Sequence, residues 1–137
     1  HKAMNRGTLK IEPSHTNGVQ VSLILSDDGT VWMSVEEIAH TFNILAASVV
    51  RQIKKILAAG ELCEKEVRRE QTTTLPDGRL CIAEYYNLDM IIALCFSIKS
   101  YPCVVFRRWI RQRLVQTLKS KSTTPLILQI RADGIIN

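Results

Sequence analysis

Apolar residues recur along this chain with two different periods, and the switches between them mark out its elements. Residues 1–18 are polar, with Gly7, Pro13 and Gly18, and read as a tail or loop. Val21, Leu23 and Leu25 then alternate with other residues, and Asp28-Gly29 is the strongest short hairpin signal in the chain. Val31-Trp32-Met33 follows as the expected returning strand. The pattern therefore predicts a short N-terminal hairpin that runs straight into a helix.

Ser34 opens that helix. With Glu37 it matches the capping box, in which each side chain caps the other's backbone N–H. Val35, Ile38, Ala39 and Phe42 form one apolar stripe at helical spacing. Asn43, a residue that tolerates the left-handed conformation, stops it. Val49, Ile53, Ile56 and Leu57 make the buried stripe of a second helix, while Ser48, Arg51, Gln52 and Lys55 fall on another face. Gly60 ends that helix. Two short amphipathic helices joined by a tight turn make residues 33–57 a helix-turn-helix pattern.

From Lys65 the period changes. Thr72-Thr73-Thr74-Leu75 and the run from Leu80 to Tyr86 flank Pro76-Asp77-Gly78, which predicts a second hairpin where a winged helix carries its wing. Asn87 then caps a helix through Ser97, with Leu88, Ile91, Ile92 and Cys95 inward. Pro102 suits the first turn of a last helix reaching about Lys119. Val105, Phe106, Trp109, Ile110 and Leu114 supply its apolar face, and Arg107, Arg108 and Arg111 point elsewhere. The apolar run 126–130 reads as a strand that docks on the core or pairs with another chain. The expected architecture is α+β: a winged-helix-like domain over 19–119 with a helix-turn-helix, two short β-hairpins and two C-terminal helices. Tails cover 1–18, with a tag scar at 1–3, and 120–137.

Composition narrows the function. A chain of 137 residues with 46% hydrophobic positions suffices for one packed domain. It holds no apolar run of membrane-spanning length and no apolar secretory stretch at its start. Cys63, Cys81, Cys95 and Cys103 form no C-x-x-C pair and have no histidine at ligand spacing, so they read as reduced thiols of a cytoplasmic protein, with no metal and no cofactor. Neither a nucleophile–histidine motif nor a phosphate-cradling glycine loop is present, which argues against an enzyme.

The formal charge of +5 points instead to an acidic partner. Lys99, Arg107, Arg108, Arg111, Arg113, Lys119 and Lys121 follow one another with no acidic residue between them. In a helix-turn-helix the second helix enters the major groove of double-stranded DNA. Ser48, Arg51, Gln52 and Lys55 are therefore the candidate readers, with Arg68, Arg69 and Arg79 of the wing and Arg107, Arg108 and Arg111 of the last helix as candidate phosphate contacts. A homodimer would present two such units to paired half-sites. The alternative is a protein–protein interaction module on the same scaffold that has lost sequence-specific DNA reading.

Several blocks carry a resemblance. Val31-Trp32-Met33-Ser34, Ile38-Ala39-His40-Thr41-Phe42, Ile53-Lys54-Lys55-Ile56, Gly60-Glu61-Leu62, the run from Glu84 to Ile92 and Phe106-Arg107-Arg108-Trp109 resemble the RhuM family over residues 19–119. That resemblance implies a bacterial, virulence-associated DNA-binding protein of mobile elements, similar in layout to the N-terminal modules of phage antirepressor-type proteins. Some such relatives carry a Fic-type catalytic domain, but the His-Pro-Phe motif of that domain is absent here. The family typically has glycine where Asn43 stands and a polar start to the second helix, where this chain has Leu45-Ala46-Ala47. Tyr101-Pro102-Cys103 likewise replaces a more basic segment.

Overall fold

The computed structural model of the chain describes residues 5–16, 18–120, 125, 127–131 and 134–135, an α+β arrangement. Two antiparallel hairpins, β1 (Thr8–Pro13) with β2 (Val19–Ile24) and β3 (Arg68–Thr74) with β4 (Leu80–Tyr86), flank a cluster of helices. The helices are α1 (Val35–Phe42), α2 (Ala46–Ala58), the single turn α3 (Glu64–Val67), α4 (Leu88–Ser97) and α5 (Tyr101–Ser120). Among the described residues no single helix is long and apolar enough to cross a membrane.

The first hairpin is not the one the sequence pattern suggested. Val19–Ile24 pairs backwards with Thr8–Pro13, placing Leu9 opposite Leu23 and Ile11 opposite Val21. The segment read as a tail thus holds a strand. Its signal is the alternation of Leu9 and Ile11 with Thr8, Lys10 and Glu12. Asp28-Gly29 does turn, with the Gly29 N–H donating to Ser26 O at 3.0 Å, but it does not close a hairpin on β2. Val31, Trp32 and Met33 are all buried, at 0, 4 and 6% exposure, so they thread the core rather than alternate between faces. Met33 makes a single two-way bridge to Tyr86, at 2.9 and 2.8 Å.

The helix pair follows its sequence closely. Ser34 Oγ accepts from the Glu37 N–H at 3.2 Å, and Glu37 Oε1 accepts from the Ser34 N–H at 2.8 Å. Removing such a cap typically costs about 1 kcal/mol. Asn43 takes φ 56° and its N–H reaches back to carbonyls of α1, closing the helix. Leu45 then stands at the N-cap of α2 with no side-chain hydrogen bond to give, as its aliphatic chain dictates. Ile38, Phe42, Val49, Ile53 and Ile56 interlock with Met90, Ile91 and Leu94 of α4 in one core.

The second hairpin turns at Leu75–Arg79 with Gly78 at φ 87°, as Pro76-Asp77-Gly78 suggested. Asn87 Oδ1 accepts from the Met90 N–H at 3.2 Å to open α4, whose far end meets α5 at a sharp bend. Pro102 sits in the first turn of α5, where no backbone donor is needed. Cys103 and Phe106 are the buried anchors of α5, but Leu114 is 57% exposed, so the apolar face leaves the core after about three turns. The strand expected at 126–130 begins only at Ile130, in β5 (Ile130–Arg131) paired with β6 (Gly134–Ile135). Ile127 and Leu128 are exposed, and Leu126, Lys121 and residues 1–3 lie outside the described residues.

Candidate nucleic-acid interface

The buried stripe of α2, Val49–Ile53–Ile56, decides which of its side chains face outward. Ser48 and Gln52 lie beside that stripe and are half-buried. Arg51, Lys54 and Lys55 are exposed and, with Ala47, Val50 and Ala58, line a shallow depression of about 430 Å³ on the outer side of the helix. The outward face is therefore rotated by about one residue from the one expected. It keeps Arg51 and Lys55, gains Lys54, and leaves Ser48 and Gln52 on its flank. Arg51 Nη2 donates to Ser48 Oγ at 3.4 Å, which orients the guanidinium along the helix. No acidic residue occurs anywhere in α2.

The arginines of the second hairpin are held by the protein itself. Arg68 Nη2 donates to Glu70 Oε2 at 2.7 Å and Glu84 Oε1 at 2.5 Å, a cross-strand fork that neutralises it within the hairpin. Those two carboxylates raise its pKa above the ordinary guanidinium value. Arg69 lies over the Trp32 ring at 4.2 Å and 3.6 Å from the Asp28 carboxylate, tying the hairpin to the buried 31–33 segment. Arg79, at the exposed tip, pairs with Asp77 at 2.6 Å.

The last helix splits its arginines. Arg107 Nη1 donates to Cys95 O at 2.5 Å and Ile98 O at 2.9 Å, capping the carboxyl end of α4 where a cation also meets the negative end of the helix dipole. Arg108 and Arg111 are exposed. α5 packs on α4, α1 and the first hairpin, whereas α2 packs on α1 and α4.

Arg6, which carried no sequence signal, is the other organising cation. Its Nη1 donates to Glu37 Oε1 at 2.6 Å, and its guanidinium lies 4.5 Å from the Tyr85 ring centre. Burial by itself would raise the Glu37 pKa, but the hydrogen bonds from Arg6 and the Ser34 amide outweigh it and hold the carboxyl below the usual range. Arg6, Glu37 and exposed Glu36 are among the residues lining a groove of about 760 Å³. Its walls are the start of α2 (Ala46, Ala47, Val50) and strand β4 (Ile82, Ala83, Glu84). Among the described residues no group of three His, Cys, Asp or Glu is placed to hold a metal ion. No family model, curated protein or solved structure matches the chain.

Proposed function

We propose that this chain is a RhuM-like, winged-helix DNA-binding protein, a regulator of the kind found on bacterial mobile elements, acting by binding rather than by catalysis. In this reading α1 and α2 are the helix-turn-helix and β3–β4 is the wing. The observation that carries it is the outer face of α2, where Arg51, Lys54 and Lys55 stand exposed around one depression with no acid on the helix. Such a face attracts phosphates, and cations that contact them release condensed counterions. Arg108 and Arg111 on α5 supply a second exposed group, and Arg79 a weaker one beside Asp77. Base reading is not part of the proposal, because the first turn of α2 offers only Leu45, Ala46 and Ala47 before Ser48.

Fluorescence anisotropy with random-sequence duplex DNA tests this. The three α2 cations contribute about −2.7 to the slope of log K on log salt, at about −0.9 per contact, and Arg108 and Arg111 add to it. Arg51→Ala with Lys55→Ala should flatten that slope by about 1.8 while affinity stays uniform across sequences. Absence of binding at low salt, or binding indifferent to this double change, would refute the proposal.

A further inference from the structure

Tyr86 fixes the orientation of every peptide group in β4. Its N–H and C=O both point away from β3, to Met33. Residues two apart in a strand present their backbone groups on the same edge. The N–H and C=O of Glu84, Ile82 and Leu80 must therefore leave on the Met33 side, and those of Cys81 and Ala83 must face β3. The 3.5 Å contact of Thr73 Oγ1 with Cys81 O agrees with this. Met33 supplies a third strand for one residue only, and no other backbone group among the described residues pairs with the outward groups of Leu80, Ile82 and Glu84. The free edge spans five residues, about 17 Å.

That edge borders the 760 Å³ groove, whose opposite wall is the start of α2. Ala46, Ala47 and Val50 there are small and exposed, and on the β4 side Ile82 is 63% exposed. Leu80, next along the same edge, is 72% exposed. A free strand edge facing an apolar helix wall across a gap is the geometry in which extended peptides are taken up by strand addition. The groove also reverses the sign of the chain's charge. It holds Glu36, Glu37 and Glu84 against Arg6 in a protein of formal charge +5. Glu37 is paired with Arg6 and Glu84 with Arg68, whereas Glu36 has no ion-pair partner among the described residues.

We infer that the groove between β4 and α2 is a strand-addition site for an extended, basic segment of a partner protein. The segment adds to the outward amides and carbonyls of Leu80, Ile82 and Glu84. Its apolar side chains pack on Ala46, Ala47 and Val50, and its lysines or arginines meet Glu36 and Glu84. This is a function separate from DNA binding. The phosphate-facing side of α2 carries Arg51, Lys54 and Lys55; Ala47 and Val50 border both it and the groove, whereas Ala46 and the β4 edge belong to the groove alone.

The test is selection of peptides of about nine random residues on the intact chain, followed by backbone hydrogen exchange with a selected peptide bound. Selected sequences should alternate apolar with basic residues, and the fast-exchanging amides of Ile82 and Glu84 should become protected. Ile82→Pro removes an outward donor without touching the bonds to β3, and Ala46→Tyr fills the groove. Each should weaken the peptide about tenfold or more while leaving the salt-dependent DNA affinity unchanged, because Arg51, Lys54 and Lys55 remain. No enrichment, acidic or helix-periodic winners, or binding indifferent to Ile82→Pro would overturn the proposal. So would protection of the same amides by duplex DNA, or by a second copy of the chain in a concentration-dependent way.

Discussion

Arg107 and Arg108 are neighbours of the same type in a basic run, and the structure assigns them opposite consequences. Arg107 bonds the carbonyls of Cys95 and Ile98 at 2.5 and 2.9 Å, while Arg108 stands in solvent. A hydrogen bond from a charged donor contributes about 1.5–3 kcal/mol. Two from one guanidinium do not add fully, and a half-buried side chain leaves room for water to replace one of them. Arg107→Ala should therefore destabilise the protein by about 2–3 kcal/mol, including lost packing of the aliphatic stem. For a chain of this size that lowers the melting temperature by roughly 8–12 °C. Arg107→Lys, which has no planar fork, should recover about half of this. Arg108→Ala should stay within about 0.5 kcal/mol. Urea unfolding followed by tryptophan fluorescence reads these differences, since Trp32 is buried and Trp109 partly so. DNA anisotropy on the same variants, under conditions where all are folded, should show an unchanged salt slope for Arg107→Ala and a flatter one for Arg108→Ala with Arg111→Ala. An Arg107→Ala protein as stable as the parent but with a slope flattened by about one would refute the reasoning. Arg107 would then be a phosphate contact and not a cap.

Three further outcomes follow from particular contacts. Gly7 has φ 67°, and a Cβ there would stand 2.5 Å from Ile24 O and 2.8 Å from Ser26 N, both backbone. Gly7→Ala should therefore cost more than the roughly 1 kcal/mol of the left-handed conformation alone, and calorimetry should show a clear fall in melting temperature. Burial raises the Cys103 pKa and pushes that of Cys95 up to about 12, so in the native state a disulfide-exchange reagent should titrate only exposed Cys63 and Cys81, the buried pair reacting after unfolding. The Glu37 carboxyl is held below its ordinary value in the fold, so its contribution is present above the unfolded pKa, near 4.5, and is lost as pH falls through the folded value. Arg6→Met should flatten that acid-side loss in a urea-midpoint series below about pH 5, and an unchanged profile would remove Arg6 from the role.

The elements legible in the sequence were those whose signal is local. The Ser34–Glu37 box, the Asn43 stop, the Pro76-Asp77-Gly78 turn and the Asn87 cap each depend on residues within four positions of one another, and each forms. What escaped depends on a partner far along the chain. Val19–Ile24 is an edge that two neighbours could satisfy, and Thr8–Pro13 takes it because Val31, Trp32 and Met33 are required in the core. The same distinction governs the charges. A basic run shows where cations stand but not which carbonyl or carboxylate lies across the fold. Arg107 therefore looked identical to Arg108, and the Glu84 partner of Arg68, 16 residues away, left no local trace.

Once those internal partners are counted, net charge is a poor guide to where an acidic ligand docks. Arg6, Arg68, Arg69, Arg79 and Arg107 are all engaged by the protein, leaving Arg51, Lys54 and Lys55 on α2 and Arg108 and Arg111 on α5 as exposed cations of the predicted set and its extension. The carboxylates of Glu36 and Glu84 flank the start of α2, which in a groove-inserted helix is the end nearest the bases. A duplex approaching tip-first would bring its phosphates toward those carboxylates, whereas one lying along the Arg51–Lys54–Lys55 face avoids them. Leu45, Ala46 and Ala47 fit the second mode for the same reason that they fit a peptide groove: a helix start without polar side chains reads no bases, yet it can wall an apolar channel beside a free strand edge. The aliphatic N-cap and the apolar wall of the groove thus come from one run, Leu45, Ala46 and Ala47, and the cationic side of α2 begins only at Arg51.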